Sequence, residues 1–229
     1  MIRRARARWI YGQYQGMSRQ QIFQHIYKNQ VWGRSPQADS FHSGTGSRDD
    51  QIVRPYIDAL SAWLRQLPLK PSILDLGCGD FFVGSQLRAH CNSYIACDIV
   101  PELIEHHRSK YASLNVEFKC LDLAQEELPD AQIVVVRQVL QHLDNKSIAL
   151  FCKGLKPSHQ YLVLTEHIPR NSSFAANRDK PAGPDTRIGL NSGVVLTQAP
   201  FFLKVKNQFN LCEIEENGGV IQTLVYELN

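Results

Sequence analysis

Residues 73–80, which read ILDLGCGD, constrain the fold more than any other part of this 229-residue chain. An apolar strand that runs into Gly-x-Gly predicts a tight turn whose backbone approaches a ligand closely at the start of a helix. Asp98 follows Gly79 by 19 residues, at the end of the next predicted strand, where a carboxylate can accept hydrogen bonds from ribose hydroxyls. Its alternative role is to cap the following helix. The combination predicts an α/β domain that binds a ribose-containing ligand.

Strands and helices alternate along the chain from Pro71. Pro101 suits the first turn of one helix, and Asp144 suits the cap of another that runs to about Leu155. This alternation predicts a mostly parallel, doubly wound sheet. The predicted strands are residues 72–76, 94–98, 116–120, 133–136 and 160–165.

Both ends of the chain depart from this alternation. Ser18 and Gln21 have the spacing of a capping box and predict a helix to about Asn29. Apolar residues between positions 52 and 67 recur with a helical period. Near the other end, two apolar strands flank a turn that contains Gly218-Gly219 and predict an antiparallel hairpin. These two strands are residues 211–214 and 221–226.

Two ligand classes use a glycine turn followed by a strand-end acid. A dinucleotide site needs a third glycine three residues after Gly79, where the helix meets the pyrophosphate, and Phe82 occupies that position. S-adenosylmethionine has no phosphate and does not need a bare helix N-terminus. The sequence therefore favours S-adenosylmethionine over NAD.

The motifs of this central region resemble those of class I S-adenosylmethionine-dependent methyltransferases across residues 70–167. Residues 74–79 resemble motif I, Cys97-Asp98 the acidic motif, residues 121–123 the adenine-lining segment, and residues 136–143 the segment after strand four. The resemblance implies a Rossmann-like α/β fold with seven strands in the order 3-2-1-4-5-7-6, strand 7 being antiparallel. Phe81 departs from the family, because many members have a glycine there. The Gly-Asp-Phe form resembles a small bacterial subgroup that also has an upstream Trp-Gly and Ser-Gly-x-Gly-Ser.

The resemblance assigns cofactor roles residue by residue. Gly77, Cys78 and Gly79 would pass beneath the cofactor, and Asp75 would help to hold its amino group. Asp98 and Ile99 would meet the ribose, Asp122 and Leu123 the adenine, and Arg137 the methionine end. Trp32 and Ser47 would belong to a segment that covers the cofactor. Asp122 has the alternative role of an ordinary turn aspartate.

Methyl transfer to a hydroxyl usually needs a general base. His142, Glu166 and His167 are the candidates, because they follow the carboxyl ends of strands, where ligands of open α/β sheets bind. His142 also suits a structural role at a helix start, and His167 that of an ordinary loop histidine. No carboxylate cluster with metal-ligand spacing is evident, so no metal is expected.

Residues 168–200 form a long polar connection of a kind that often contributes to binding. Asn171, Asp179, Arg187 and Asn191 are candidate acceptor ligands, with solvated loop polarity as the alternative. Residues 137–140, RQVL, stand where methyltransferases of exocyclic base amines have Asn/Asp-Pro-Pro-aromatic, which disfavours nucleic acid. We expect a small-molecule or sugar-containing acceptor methylated at oxygen. The alternatives are a protein or RNA methyltransferase and a non-catalytic cofactor-binding protein.

Charge and cysteine content bear on the environment of the chain. Residues 1–38 hold seven of the 25 basic residues and no acidic one, so 18 basic and 22 acidic residues remain in the rest. We expect residues 1–48 to form a basic arm, a helix and a cofactor-covering loop before a methyltransferase domain at 49–229. The arm is either solvated or a contact for an anionic surface. The six cysteines have no disulfide or zinc spacing, which together with the lack of a membrane-spanning apolar run predicts a cytoplasmic protein.

Overall fold

The computed structural model describes residues 12–34, 41–171 and 173–228 of the chain. The arginines at positions 3, 4, 6 and 8 of the predicted basic arm lie outside these residues. None of the helices in the described ranges is long and apolar enough to span a bilayer.

Seven strands form one sheet in the order β3-β2-β1-β4-β5-β7-β6. Strands β1 to β5 pair in parallel, whereas β7 lies antiparallel to both β5 and β6. The predicted sheet order and the antiparallel seventh strand are therefore confirmed. The strands are β1 (Ser72–Leu76), β2 (Ser93–Asp98), β3 (Glu117–Cys120), β4 (Ile133–Arg137), β5 (Tyr161–Pro169), β6 (Asn207–Glu216) and β7 (Gly219–Glu227).

Five α-helices accompany the sheet within the described residues, and their starts match the capping residues in the sequence. The Ser18 hydroxyl accepts from the Gln21 N–H at 3.2 Å, while the Gln21 side chain accepts from the Ser18 N–H, which completes the predicted capping box. Asp144 accepts from the Ser147 N–H at 2.9 Å. The helices are α1 (Arg19–Lys28), α2 (Asp50–Gln66), α3 (Phe82–Leu87), α4 (Pro101–Lys110) and α5 (Asn145–Gly154).

Strand β5 extends further than the sequence predicted. It pairs with β7 from Tyr161 to Pro169, so Glu166 and His167 lie inside the strand and not beyond its end. Successive side chains of a strand point to opposite faces of the sheet. The two candidate bases therefore belong to different faces.

The hairpin at the end of the chain has a two-residue connection, Asn217-Gly218, in which both residues have positive φ, 38° and 75°. Such a pair suits the right-handed twist of the strands that it joins. Gly219 already belongs to β7 and packs directly over the ring of His167, since a Cβ there would lie 2.7 Å from Nε2. The predicted hairpin is confirmed, with its turn one residue earlier than Gly218-Gly219.

The six cysteines are all free thiols, and they differ in burial. Cys91 and Cys97 are buried in the core, whereas Cys120 is exposed at the end of β3. Free cysteines are usually buried as small apolar residues, which holds for the first two and not for Cys120. Strand β3 is only four residues long and lies at the edge of the sheet, so its last side chain is not covered.

Candidate functional site

The glycine turn after β1 has the geometry that its sequence predicts. Gly77 and Gly79 have φ values of 76° and 54°, in the left-handed region that favours glycine. A Cβ at Gly77 would lie 2.4 Å from Val139 Cγ2, so the turn and the segment after β4 approach each other closely. His107 fixes the turn from α4, because its Nε2 donates to the Gly79 carbonyl at 2.7 Å.

Asp98 lies beside this turn at the end of β2. One carboxylate oxygen accepts from the Gly79 N–H and the other from the Val100 N–H, each at 3.1 Å. Burial raises the pKa of Asp98 to about 6, although the backbone hydrogen bonds oppose that shift. The carboxylate thus supports the start of α4, which is the capping role that the sequence left open. Asp98 also lines a cavity at the carboxyl ends of the strands.

A cavity of about 450 Å³ opens at the carboxyl ends of the central strands. Every residue that the sequence assigned to the cofactor lines it: Trp32, Ser47, Asp75, Gly77, Cys78, Gly79, Asp98, Ile99, Asp122, Leu123 and Arg137. Its volume lies within the usual range for small-molecule sites. The structure therefore brings together the whole predicted cofactor set.

Asp75 lies at the floor of this cavity. Tyr94 donates to its carboxylate at 2.8 Å, and burial raises the pKa of Asp75 to about 7. A cation placed beside this carboxylate would lower that pKa and favour the ionised form.

The segments that precede the sheet fold over the cavity as a cover. The Ser43 hydroxyl contacts the Tyr27 hydroxyl and accepts from the Asp80 N–H, both at 2.8 Å. Ser47 donates to the Asp80 carboxylate at 3.1 Å. Trp32 Nε1 donates to the Pro184 carbonyl at 3.1 Å, which connects the cover to the long loop after β5.

Arg137, the last residue of β4, is a buried cation at the cavity wall. Its Nη2 donates to the Gly46 carbonyl at 2.8 Å, and its guanidinium lies 5.0 Å from the centre of the Tyr56 ring. Its Nε is buried and has no hydrogen-bond partner among the described residues. Burial lowers the pKa of Arg137, and a ligand carboxylate would relieve that penalty.

His142 lines the cavity, but its ring is already engaged. Its Nε2 lies 3.3 Å from the Gln141 side-chain nitrogen, and its ring centre lies 5.1 Å from that of Trp32. Burial lowers the pKa of His142 to about 3. The imidazole is neutral at physiological pH and is a weak proton acceptor.

Glu166 does not line the cavity, whereas its neighbour His167 does. The Glu166 carboxylate accepts from the Leu140 N–H at 3.0 Å on the opposite face of β5, beneath the segment that follows β4. Burial raises its pKa to about 8. The geometry gives Glu166 a structural role and does not support the prediction of a base.

The four predicted acceptor ligands are not gathered around the cavity, since none of them lines it. Arg187 is fully buried and donates to the carbonyls of Leu143 and Arg178. The Asp179 carboxylate accepts from the Asn145 N–H at 2.8 Å. Asn171 accepts from the Ser173 N–H, and Asn191 occupies a left-handed turn position with a φ of 48°. These polar side chains organise the loop itself.

Sequence reasoning missed other residues of the cavity wall. Gln138 and Gln141 follow β4, a position that the general rule for open α/β sheets could have indicated. Others reach the cavity only through tertiary packing, among them Arg19, Phe23, Tyr27, Leu143, Thr186, Ile188, Glu216, Asn217 and Ile221. No group of three or more metal-ligating side chains occurs within the described part of the chain.

Two observations define the class of protein. The sheet order with an antiparallel β7 and the glycine turn with the acid after β2 are those of the class I methyltransferase fold. Residues 73–158 match the family model described as "Methyltransferase domain". These findings identify residues 73–158 as a methyltransferase domain within a sheet of the class I, S-adenosylmethionine-dependent methyltransferase fold.

Curated relatives agree with this class. A probable S-adenosylmethionine-dependent methyltransferase of Mycobacterium tuberculosis is 32% identical over 124 residues, which are 52% of this chain and 43% of that protein. A malonyl-[acyl-carrier protein] O-methyltransferase of Acetivibrio thermocellus is 38% identical over 66 residues, 28% of this chain and 23% of that protein. The chain thus matches less than half of the length of these relatives.

Solved structures share the fold. Magnesium protoporphyrin IX methyltransferase from Synechocystis PCC 6803 with bound SAH covers 93% of this chain and 100% of its own, with a TM-score of 0.57 and 14% identity. The same enzyme with bound SAM gives a TM-score of 0.54. At this identity the likeness concerns the fold alone.

Proposed function

We propose that the chain transfers the methyl group of S-adenosylmethionine to an oxygen of a small-molecule or sugar-containing acceptor. The observation that carries the proposal is the covered cavity, in which all eleven predicted cofactor residues meet. It continues past them to Pro184, Thr186 and Ile188 of the long loop and to Glu216 and Asn217 of the hairpin turn. One continuous space can therefore hold donor and acceptor side by side.

The charges of the cavity suit the donor when the ribose lies at Asp98. The methionine end then reaches Asp75 and Arg137, which supply a carboxylate for its amino group and a guanidinium for its carboxylate. Asp122 and Leu123 border the adenine. Gly77 and Gly79 leave the room for the nucleoside to pass over the turn, because neither carries a side chain.

The cover favours a small acceptor. Residues of α1 and of the segment from Ser43 to Ser47 lie over the cavity, so a folded polymer has little room to present a side chain or a base. The polar lining beyond the cofactor residues suits an acceptor with hydroxyl groups. Oxygen as the methylated atom is supported by the name of one relative, a malonyl-[acyl-carrier protein] O-methyltransferase, whose acceptor is attached to a carrier protein.

The chemistry needs positioning more than covalent participation by the protein. The sulfonium of S-adenosylmethionine supplies an activated methyl group, and alignment of the acceptor oxygen behind that methyl accelerates the transfer. The chain's own residues hold the two reactants and accept the proton that the hydroxyl loses.

Calorimetric titration with S-adenosylmethionine and S-adenosylhomocysteine tests the cofactor part first. We expect micromolar dissociation constants, about −8 kcal/mol, and a large loss in Asp98→Ala. Transfer of labelled methyl groups to panels of hydroxylated metabolites and glycosides tests the acceptor part. Binding without transfer to any acceptor would favour a non-catalytic binder, and label only in protein or RNA would contradict the proposal.

A further inference from the structure

We propose that His167 is the general base and that it faces an acceptor subsite built for an uncharged hydroxylated molecule. This inference rests on the proposed function and names the class of acceptor for the same cavity. The subsite lies beyond the methionine end, between the long loop and the hairpin turn. Its lining comprises Gln141, Leu143, Thr186, Ile188, Ile221 and His167 itself.

The tautomer of His167 follows from one hydrogen bond. Its Nε2 lies 2.9 Å from the Glu216 carbonyl oxygen, which can only accept, so Nε2 carries the proton of the neutral ring. Nδ1 then has a lone pair, and no described residue donates a hydrogen bond to it. A backbone carbonyl that fixes one ring nitrogen and leaves the other as acceptor is a common way to prepare a catalytic histidine.

The position of the ring is fixed as well as its proton. The His167 N–H donates to the Gln141 side chain at 3.1 Å, which ties β5 to the segment after β4. The ring packs on Gly219, where any side chain would collide with its Nε2 edge. The residue is 8% exposed and lines the cavity, so the remaining ring nitrogen is available there and not to bulk solvent.

The other two candidate bases are less suited to the task. Nε2 of His142 faces the side-chain amide nitrogen of Gln141, and burial leaves that imidazole weakly basic. Glu166 accepts a backbone N–H on the opposite face of β5 and does not reach the cavity. His167 is the one of the three candidates with an uncommitted acceptor atom in the cavity.

The charges near the subsite favour an uncharged acceptor. Among the described residues, Arg19 and Arg137 are the lysine or arginine side chains that line the cavity. Arg19 is paired with Asp122, and the proposed function places Arg137 at the donor's carboxylate. The Glu216 carboxylate, which accepts from the Asn217 amide, adds negative character at the hairpin turn. An anionic acceptor would lose its hydration and meet no further lysine or arginine among the described lining residues, which is unfavourable.

The reaction balances with the groups present. His167 Nδ1 takes the hydroxyl proton while an oxygen lone pair of the acceptor forms the new C–O bond and the S–C bond of the donor breaks. The electron pair of that bond remains on sulfur. The products are the methyl ether, S-adenosylhomocysteine, whose sulfur is uncharged, and the imidazolium of His167. The imidazolium then returns its proton to solvent.

His167→Gln is the informative variant, because the glutamine nitrogen can still donate to the Glu216 carbonyl while the basic Nδ1 is lost. Labelled methyl transfer is measured on neutral phenols and alkyl glycosides and on their carboxylated counterparts. We expect label in the neutral compounds. In the variant we expect a loss of about 10²- to 10⁴-fold in kcat, with a nearly unchanged acceptor KM and S-adenosylhomocysteine affinity. His90→Gln, outside the cavity, serves as the matched control.

A second readout separates base catalysis from a structural effect. Within a series of neutral phenols the loss in His167→Gln should shrink as the phenol becomes more acidic, because such an acceptor needs less help to lose its proton. Failure of the wild-type chain to bind S-adenosylhomocysteine would instead remove the proposed function. If binding is intact, two results would overturn this inference. One is the absence of label in every neutral acceptor, including label confined to the carboxylated ones. The other is an unchanged kcat in His167→Gln.

Discussion

Arg19 at the start of α1 donates to both carboxylate oxygens of Asp122, with 3.3 Å from Nε to Oδ1 and 2.8 Å from Nη2 to Oδ2. Its Nη1 also donates to the Ser147 hydroxyl at 2.9 Å. The pair joins the covering helix to the residue predicted to border the adenine, across 103 positions of sequence. Both side chains are largely shielded from water, so this planar, two-point contact is stronger than an ordinary surface ion pair.

Removal of this contact should loosen the cover. In Arg19→Ala we expect S-adenosylhomocysteine to dissociate about tenfold faster, which corresponds to a loss of ~1.4 kcal/mol, because Asp122 loses its partner and α1 loses an anchor. Stopped-flow tryptophan fluorescence, to which Trp32 in the cavity wall contributes, measures that rate. Lys119→Ala, which removes an exposed ion pair with Glu117, is the matched control. Equal dissociation rates in wild type and Arg19→Ala would contradict this role for the Arg19–Asp122 contact.

The burial of Asp98 predicts a pH-dependent cofactor affinity. Its folded-state pKa of about 6 means that protonation competes with hydrogen bonds from ribose hydroxyls as the pH falls below that value. We expect the dissociation constant of S-adenosylhomocysteine to rise below pH 6 by up to tenfold per pH unit. Calorimetry across pH 5–8 measures this.

Asp98→Asn provides the control for this titration. The variant should bind more weakly at neutral pH and lack the Asp98 contribution to the pH profile. Burial and, to a smaller extent, the Asp98 charge raise the pKa of Asp75 to about 7, so Asp98→Asn also changes the Asp75 titration. Repeating the comparison in an Asp75→Asn background isolates Asp98. Identical profiles in wild type and variant would show that this carboxylate does not meet the cofactor.

The backbone conformation at Phe81 explains why a glycine would suit this position. It has a φ of 57°, in the left-handed region, and its fully buried ring packs edge-on against Tyr94 and Phe118. Left-handed backbone costs a non-glycine residue ~1 kcal/mol, whereas a buried phenylalanine ring contributes about 3–5 kcal/mol. The packing of the ring therefore outweighs the strain.

Two substitutions at this position separate packing from strain. Phe81→Ala and Phe81→Gly should both lower the free energy of unfolding by several kcal/mol, because both remove the ring. Phe81→Gly should nevertheless be the more stable of the two by ~1 kcal/mol, since it alone relieves the backbone. Urea denaturation measures the difference. If Phe81→Ala were more stable than Phe81→Gly, the proposed backbone strain at Phe81 would be contradicted.

The sequence was sufficient for the sheet and for the set of residues that meet around the glycine turn. Strand β1, the glycine turn and Asp98 are contiguous or nearly so, and their chemistry depends on local backbone geometry that short motifs encode. The strand bounds at residues 72–76 and the cap at Asp144 were correct for the same reason.

The acceptor side could not be predicted, because it depends on non-local pairing. Whether Glu166 or His167 faces the cavity follows from the extension of β5 to Pro169, and β7 imposes that extension from more than 50 residues later in the sequence. Arg187 resembles a ligand by its charge alone, yet it is buried and donates to loop carbonyls. Arg19 and Tyr27 line the cavity only because α1 folds back over the sheet.

Glu166 should make the stability of the protein depend on pH. Burial raises its pKa from an ordinary value of 4.5 to about 8, so between these values the folded state retains a proton that the unfolded chain has lost. Its contribution to stability is complete below about pH 4.5 and disappears as the pH rises through about 8. Glu166→Gln keeps an oxygen for the Leu140 N–H and cannot ionise.

Across the window from about pH 4.5 to about pH 8, the free energy of unfolding of the wild type should therefore fall relative to Glu166→Gln by ~1 kcal/mol per pH unit. Urea denaturation at several pH values measures this, with Glu215→Gln, which removes an exposed ion pair with Arg170, as the control. Parallel pH profiles of wild type and Glu166→Gln would mean that the buried carboxylate ionises without penalty, which would contradict the role of Glu166 as a protonated support beneath the segment that follows β4.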